Sequence, residues 1–156
     1  MNETNTLSRP AVGYEADFYA WTQQQAEQLR SLRPTGFDWE HLAEEIEDLG
    51  KSQKQKIESN LTIVLLYLLK LAYQPRLTKA GWRSPVVEHR RRIARILRDS
   101  PSLRRYPVAV MSEEYAAARV MAEDETGLPL ATFPETCPFT IDEVLDPGFW
   151  PKATRP

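Results

Sequence analysis

Trp39 to Tyr73, WEHLAEEIEDLGKSQKQKIESNLTIVLLYLLKLAY, is the stretch that decides the fold. Set at the helical interval of about 100° per residue, Trp39, Leu42, Ala43, Ile46 and Leu49 fall in one arc. Ile57, Asn60, Leu61, Val64, Leu68 and Leu71 fall in the same arc further on. A chain that broke at Gly50 and restarted would keep this phase only by accident. The pattern therefore predicts one helix of roughly 35 residues, continuous or gently kinked at Gly50. Asp38 is placed to cap it by accepting from first-turn amides. Its halves differ in kind: the first is apolar on one side and acidic on the other. Leu61 to Leu71 is apolar nearly all round, which a helix can be only when neighbours surround it.

Upstream, residues 1–13 are polar, contain Pro10 and Gly13, and read as a loose arm. Tyr14, Phe18, Trp21, Leu29 and Leu32 recur at helical spacing, with Gln25 interrupting, and predict a first helix over 14–32. Arg33-Pro-Thr-Gly36 stops it. Downstream, Gln74-Pro-Arg-Leu77 and Ala80-Gly81 connect to a third helix from about Val86 to Arg98. Ser100 and Pro101 then have the N-cap and first-position chemistry of a fourth helix. Pro107 should kink or break that helix before Val108 to about Asp124 continues, with Gly127 as C-terminal cap. The last 29 residues hold six prolines among Phe133, Phe139, Phe149 and Trp150. Segment 128–150 therefore reads as a Pro/aromatic-rich C-terminal strap, with a short helix opened by the Thr140–Glu143 capping box and 151–156 as a tail. The fold class is all-α: a single helical domain over 14–150, a bundle around one long central helix.

Composition narrows the function classes. The chain has 156 residues, is 42% hydrophobic and 27% charged, and suits one ordinary globular domain. Twenty basic and 22 acidic side chains leave a formal charge of −2, so no global field steers it to nucleic acid or an anionic membrane. The single cysteine, Cys137, rules out an intrachain disulfide and points to a reducing, cytoplasmic setting. Met1 to Ser8 lack the basic and apolar regions of a secretory signal. The apolar run Leu61–Leu69 is about half a membrane span, so a core helix is expected and no membrane association.

Two charged features remain. Glu44-Glu-Ile-Glu-Asp48 places Glu44 and Asp48 away from the apolar arc, with Glu45 and Glu47 flanking it on opposite sides. Divergent carboxylates make a poor metal cage, and His41 and Glu44 stand in the reverse of the inward Glu-x-x-His pattern of di-iron bundles; the segment reads as a salt-bridged face, with no metal or cofactor expected. In Val86 to Arg98, the apolar arc contains Val86, Ile93, Ile96 and Leu97. Arg91, Arg92, Arg95 and Arg98 point away from it, and with Arg83 they form a candidate basic face that Arg76, Lys79, Arg104 and Arg105 would extend. Arg90 projects into the apolar arc with His89 at its edge. A buried cation needs a partner. Glu45 or Glu47 is the expected one, so Glu45, Glu47, His89 and Arg90 form a candidate polar cluster that fixes the register of the two helices. Cys137 reads as a small buried thiol, because a nucleophilic role would need His41 or His89 beside it.

Tyr14-Glu-Ala-Asp-Phe-Tyr-Ala-Trp, Phe37-Asp-Trp-Glu-His-Leu-Ala-Glu-Glu-Ile-Glu-Asp-Leu-Gly, Tyr73-Gln-Pro, Gly81-Trp-Arg, Ser100-Pro-Ser-Leu, Glu125-Thr-Gly-Leu and Phe133-Pro-Glu-Thr-Cys-Pro-Phe occur in this order. As a set they resemble the bacterial family catalogued as domain of unknown function 29, over nearly the whole of 14–150. The resemblance implies an all-helical fold and brings no activity, substrate or catalytic residue. Arg105-Tyr-Pro107 departs from the helix-friendly stretch expected there. The preferred functional reading is a non-catalytic, cytoplasmic helical module that binds another protein. Its alternatives are nucleic-acid binding through the arginine-rich helix 83–105, and an anion-binding or catalytic site around Glu45, His89 and Arg90.

Overall fold

The computed structural model describes residues 10–33, 35–74 and 80–154. Pro34, Arg76 and Lys79, most of the N-terminal arm and the last two residues lie outside them. Among the described residues five α-helices follow in order: α1 Phe18–Leu32, α2 Trp39–Tyr73, α3 Arg83–Asp99, α4 Tyr106–Thr126 and α5 Ile141–Leu145. Short 3-10 turns occupy Pro101–Leu103 and Leu130–Thr132, and the described residues contain no strand. None of these helices is long and apolar enough to cross a membrane.

α2 runs unbroken through Gly50, and the glycine there has a tertiary reason. At Gly50 a Cβ would lie 2.1 Å from Thr22 Oγ1 and 2.8 Å from Gln23 Nε2. Glycine suits the position because the Thr22 and Gln23 side chains of α1 press directly on the α2 backbone there, with Thr22, Ala26 and Ala43 fully buried along the seam. The two helices are antiparallel. Arg33 lies over the Trp39 ring, Arg30 meets Glu47, and Lys54 lies over Tyr19, so the sequence ascends along α2 as it descends along α1. Asp17 fastens the base of this hairpin. Its carboxylate accepts from Ala20 N at 2.8 Å as the α1 N-cap, and from Ser102 N and Oγ at 2.5 and 2.9 Å. α1 thus starts at Phe18 instead of Tyr14, because Asp17 supplies the cap; Tyr14 folds back edge-on to Phe18 and Trp21.

The second half of α2 is the hub of the core, as its all-round apolarity requires. Leu61, Val64, Leu65, Leu68 and Leu69 have no exposed surface. Val86 and Ile93 of α3, Tyr115, Ala118 and Ala122 of α4, and Phe133, Phe139 and Val144 of the C-terminal strap close around them. α3 begins at Arg83, three residues before the sequence expectation, with Pro85 accommodated in its first turn. Pro101 opens only a 3-10 turn. The fourth helix is delayed to Tyr106, so that Pro107 falls within the first turn, where its missing N–H has no helical carbonyl to bond. Gly127, at φ 69°, ends α4 in the left-handed conformation. Thr140 and Glu143 form the reciprocal capping box of α5.

The strap is docked by polar side chains as much as by aromatics. Tyr115 Oη donates to the Pro134 carbonyl at 2.6 Å, and Arg119 Nε donates to the Phe133 carbonyl at 3.0 Å. Phe133 packs edge-on to Tyr73 and Phe139 to Phe149. Thr154 N donates to the Ala72 carbonyl at 2.7 Å, returning the chain to the end of α2.

Candidate functional site

Arg90 is buried, 4% exposed, and its partner differs from the sequence expectation. Its Nε donates to the Val144 carbonyl at 2.7 Å, Nη1 to Phe149 at 3.0 Å and Nη2 to Glu143 at 3.1 Å. The guanidinium also lies 5.3 Å from the centre of the Trp150 ring. Two of these carbonyls end α5, where the last four C=O groups have no helical partner and the helix dipole is negative. Arg90 is therefore the C-terminal cap of α5 and the clamp of the strap. Three carbonyl dipoles and an aromatic face serve where a carboxylate was expected. Burial pulls its pKa down and Asp146 opposes that shift.

Glu45 and Glu47 take no part in this arrangement. Glu47 turns to α1, accepting from Arg30 Nη2 at 2.9 Å, with Lys51 at 3.4 Å. The Arg30 hydrogen bond, against some desolvation, holds the Glu47 carboxyl below its ordinary range. Glu45 is exposed on the outside of α2. The proposed polar cluster is thus divided between two places in the fold, because the acidic half of α2 faces α1 and solvent while α3 packs on the other half. His89 is met by Asn60, with Nδ1 and Oδ1 2.6 Å apart. Burial and the nearby Arg92 push its imidazole below the ordinary 6.5, with Glu88 working the other way. Asn60, a polar residue inside an apolar arc, was the sequence signal for this pairing.

The basic face is partly self-neutralised. Glu88 receives Arg91 at 3.0 Å and Arg92 at 2.9 Å, and Asp99 receives Arg98 at 3.3 Å. Arg83 lies over the Trp150 ring at 4.7 Å. Arg95 meets no carboxylate among the described residues. Cys137 is half-buried, and burial raises its pKa, which disfavours the reactive thiolate. Among the described residues no three His, Cys, Asp or Glu side chains gather as a metal site would require.

The α1–α2 hairpin carries an exposed apolar surface. The Arg30–Glu47 bond marks one flank of the seam; the opposite flank carries Trp21, Leu29 and Leu32 from α1 and Leu42, Ile46 and Leu49 from α2, by helical phase. Much of it is open: Leu32 is 75% exposed, Phe37 68%, Leu49 53% and Leu42 44%. The apolar stripes of the first helix and of the first half of α2 were legible in the sequence. Sequence could not show that, among the described residues, no other helix covers them.

These features define an all-helical domain organised on a single long helix, with a two-helix arm at one end and a clamped strap at the other. The profile described as "Domain of unknown function DUF29" matches residues 13–150, and the chain belongs to that family. A crystal structure of an alpha-helical protein of unknown function from Rhodospirillum rubrum is similar to it. The two share 30% identity at a TM-score of 0.67, over 88% of this chain and 92% of that one. No curated protein matches.

Proposed function

We propose that the chain is a bacterial, cytoplasmic helical interaction module that docks a partner on the open face of the α1–α2 hairpin. The observation that carries this reading is the row of exposed apolar side chains from Leu32 to Leu49 on two adjacent helices. Contiguous apolar surface of this kind is characteristic of interaction sites, whereas isolated exposed leucines are ordinary. A two-helix face with an apolar centre and Glu45 at its rim is half of a four-helix bundle, so the occupant that fits it is another apolar helical pair. A second copy supplies such a pair, since a twofold contact sets the same apolar patch against itself and leaves Glu45 at the solvated rim.

Sedimentation velocity on the purified chain over a wide concentration range tests the reading. The wild type should associate reversibly, and Leu42→Glu/Leu49→Glu should remain monomeric with an unchanged circular dichroism spectrum. A photo-crosslinking residue at Leu49 should join two hairpin faces, and one at exposed Arg104 should not. Monomeric wild type together with equal crosslinking from the two positions would sink the proposal.

A further inference from the structure

The groove between α2 and α3 carries a separate feature. It has a volume of about 670 Å³, within the range of small-ligand sites. Lys56 and Asn60 line it from α2, and Arg91, Arg92 and Arg95 from α3; Ile96 is the one apolar residue on its walls. A mainly apolar ligand has little to bury against here. Four cations are opposed by two carboxylates, Glu88 and Asp99, a local positive excess in a chain of formal charge −2. Those carboxylates are already engaged, Glu88 by Arg91 and Arg92 and Asp99 by Arg98. Neither Lys56 nor Arg95 pairs with a carboxylate among the described residues. Two cations brought to one groove from different helices repel each other, and an anion seated between them would turn that repulsion into attraction.

We propose that this groove binds a compact multivalent anion, a di- or triphosphate group free or as part of a nucleotide, with Lys56 and Arg95 as its principal contacts. Arginine supplies the fork that suits phosphate oxygens and lysine the point charge opposite. Glu88 and Asp99 decide between a compact anion and a nucleic-acid strand. They stand roughly 16 Å apart along α3, one toward each end of the groove. A triphosphate fits between them, whereas an extended polyanion would have to pass over a carboxylate at both ends.

Isothermal titration of the full chain with inorganic tripolyphosphate at neutral pH and physiological salt tests the site, with ATP and a short single-stranded oligonucleotide as further arms. Saturable 1:1 binding of tripolyphosphate is expected, about a hundredfold weaker in Lys56→Gln/Arg95→Gln, since each of the two charge-assisted contacts removed is worth roughly tenfold. Arg104→Gln, outside the groove, should bind like wild type. ATP binding that falls in parallel would assign the site to a nucleotide, and binding of tripolyphosphate alone to the free anion. The three substituted side chains are exposed or line an open groove, so unchanged thermal melting is expected and separates lost binding from lost fold. No saturable binding by the wild type, equal binding by the double variant, or tighter binding of the oligonucleotide than of tripolyphosphate would each overturn the inference.

Discussion

Removing the guanidinium of Arg90 should release the C-terminal strap and destabilise the domain more than any other single arginine substitution. In Arg90→Ala, the carbonyls of Glu143, Val144 and Phe149 lose their donor at once. A buried acceptor left unpaired costs about 1–3 kcal/mol. Water entering the vacated space recovers part of that for the carbonyls nearest the surface, so the loss over three acceptors should be about 3–5 kcal/mol. For a domain of this size that corresponds to a melting temperature lowered by roughly 10 °C. Arg90→Lys keeps the charge but cannot reach three divergent carbonyls, and should lose about half as much. Arg91→Ala, an exposed residue paired only with Glu88, should change stability by less than about 0.5 kcal/mol. Urea unfolding of the four proteins measures the series. Trypsin cleavage at Lys152 should accelerate in Arg90→Ala and Arg90→Lys under native conditions, reporting release of the strap itself. If Arg90→Ala unfolds within 1 kcal/mol of Arg91→Ala, the clamp is not what holds the strap, and the reasoning from carbonyl count fails.

Gly50→Ala separates two opposed expectations. Helix propensity alone would make it stabilising by about 1 kcal/mol, whereas a Cβ 2.1 Å from Thr22 Oγ1 should destabilise by about 2 kcal/mol; a partial recovery in Gly50→Ala/Thr22→Ala would tie the loss to the crossing. The two histidines should titrate on opposite sides of 6.5 by NMR: His41 above it, raised by its hydrogen bond to Asp38, and His89 below it through burial. The linkage of the two differs in sign. His89, depressed in the folded state, contributes stability that is complete above pH 6.5 and is lost as pH falls toward its folded value; His41 contributes below 6.5 and loses its share as pH rises through its folded value. A His89 midpoint above 6.5 would contradict the burial described for it.

The continuous α2, its buried second half, the Gly127 cap and the Thr140 capping box were all legible in the sequence. Each depends on periodicity or on local backbone chemistry, which a linear pattern records. Two expectations failed for a common reason. Charge complementarity suggested Glu45 or Glu47 for Arg90, but sequence displays carboxylates and hides carbonyls, and the partners were the unpaired C=O groups at the end of a five-residue helix. The start of the fourth helix moved from Pro101 to Tyr106 because two prolines competed for one helical first turn, and only packing of α4 on α2 decides which one wins. By itself the sequence determined which surfaces are apolar and which turns are capped. Tertiary structure alone decided that Gly50 is a crossing point, that the acidic half of α2 faces α1 and not the arginines of α3, and that one apolar flank of the hairpin stays open among the described residues. Those outcomes depend on which helix lies beside which, and contacts between residues far apart in the chain leave no periodic trace along it.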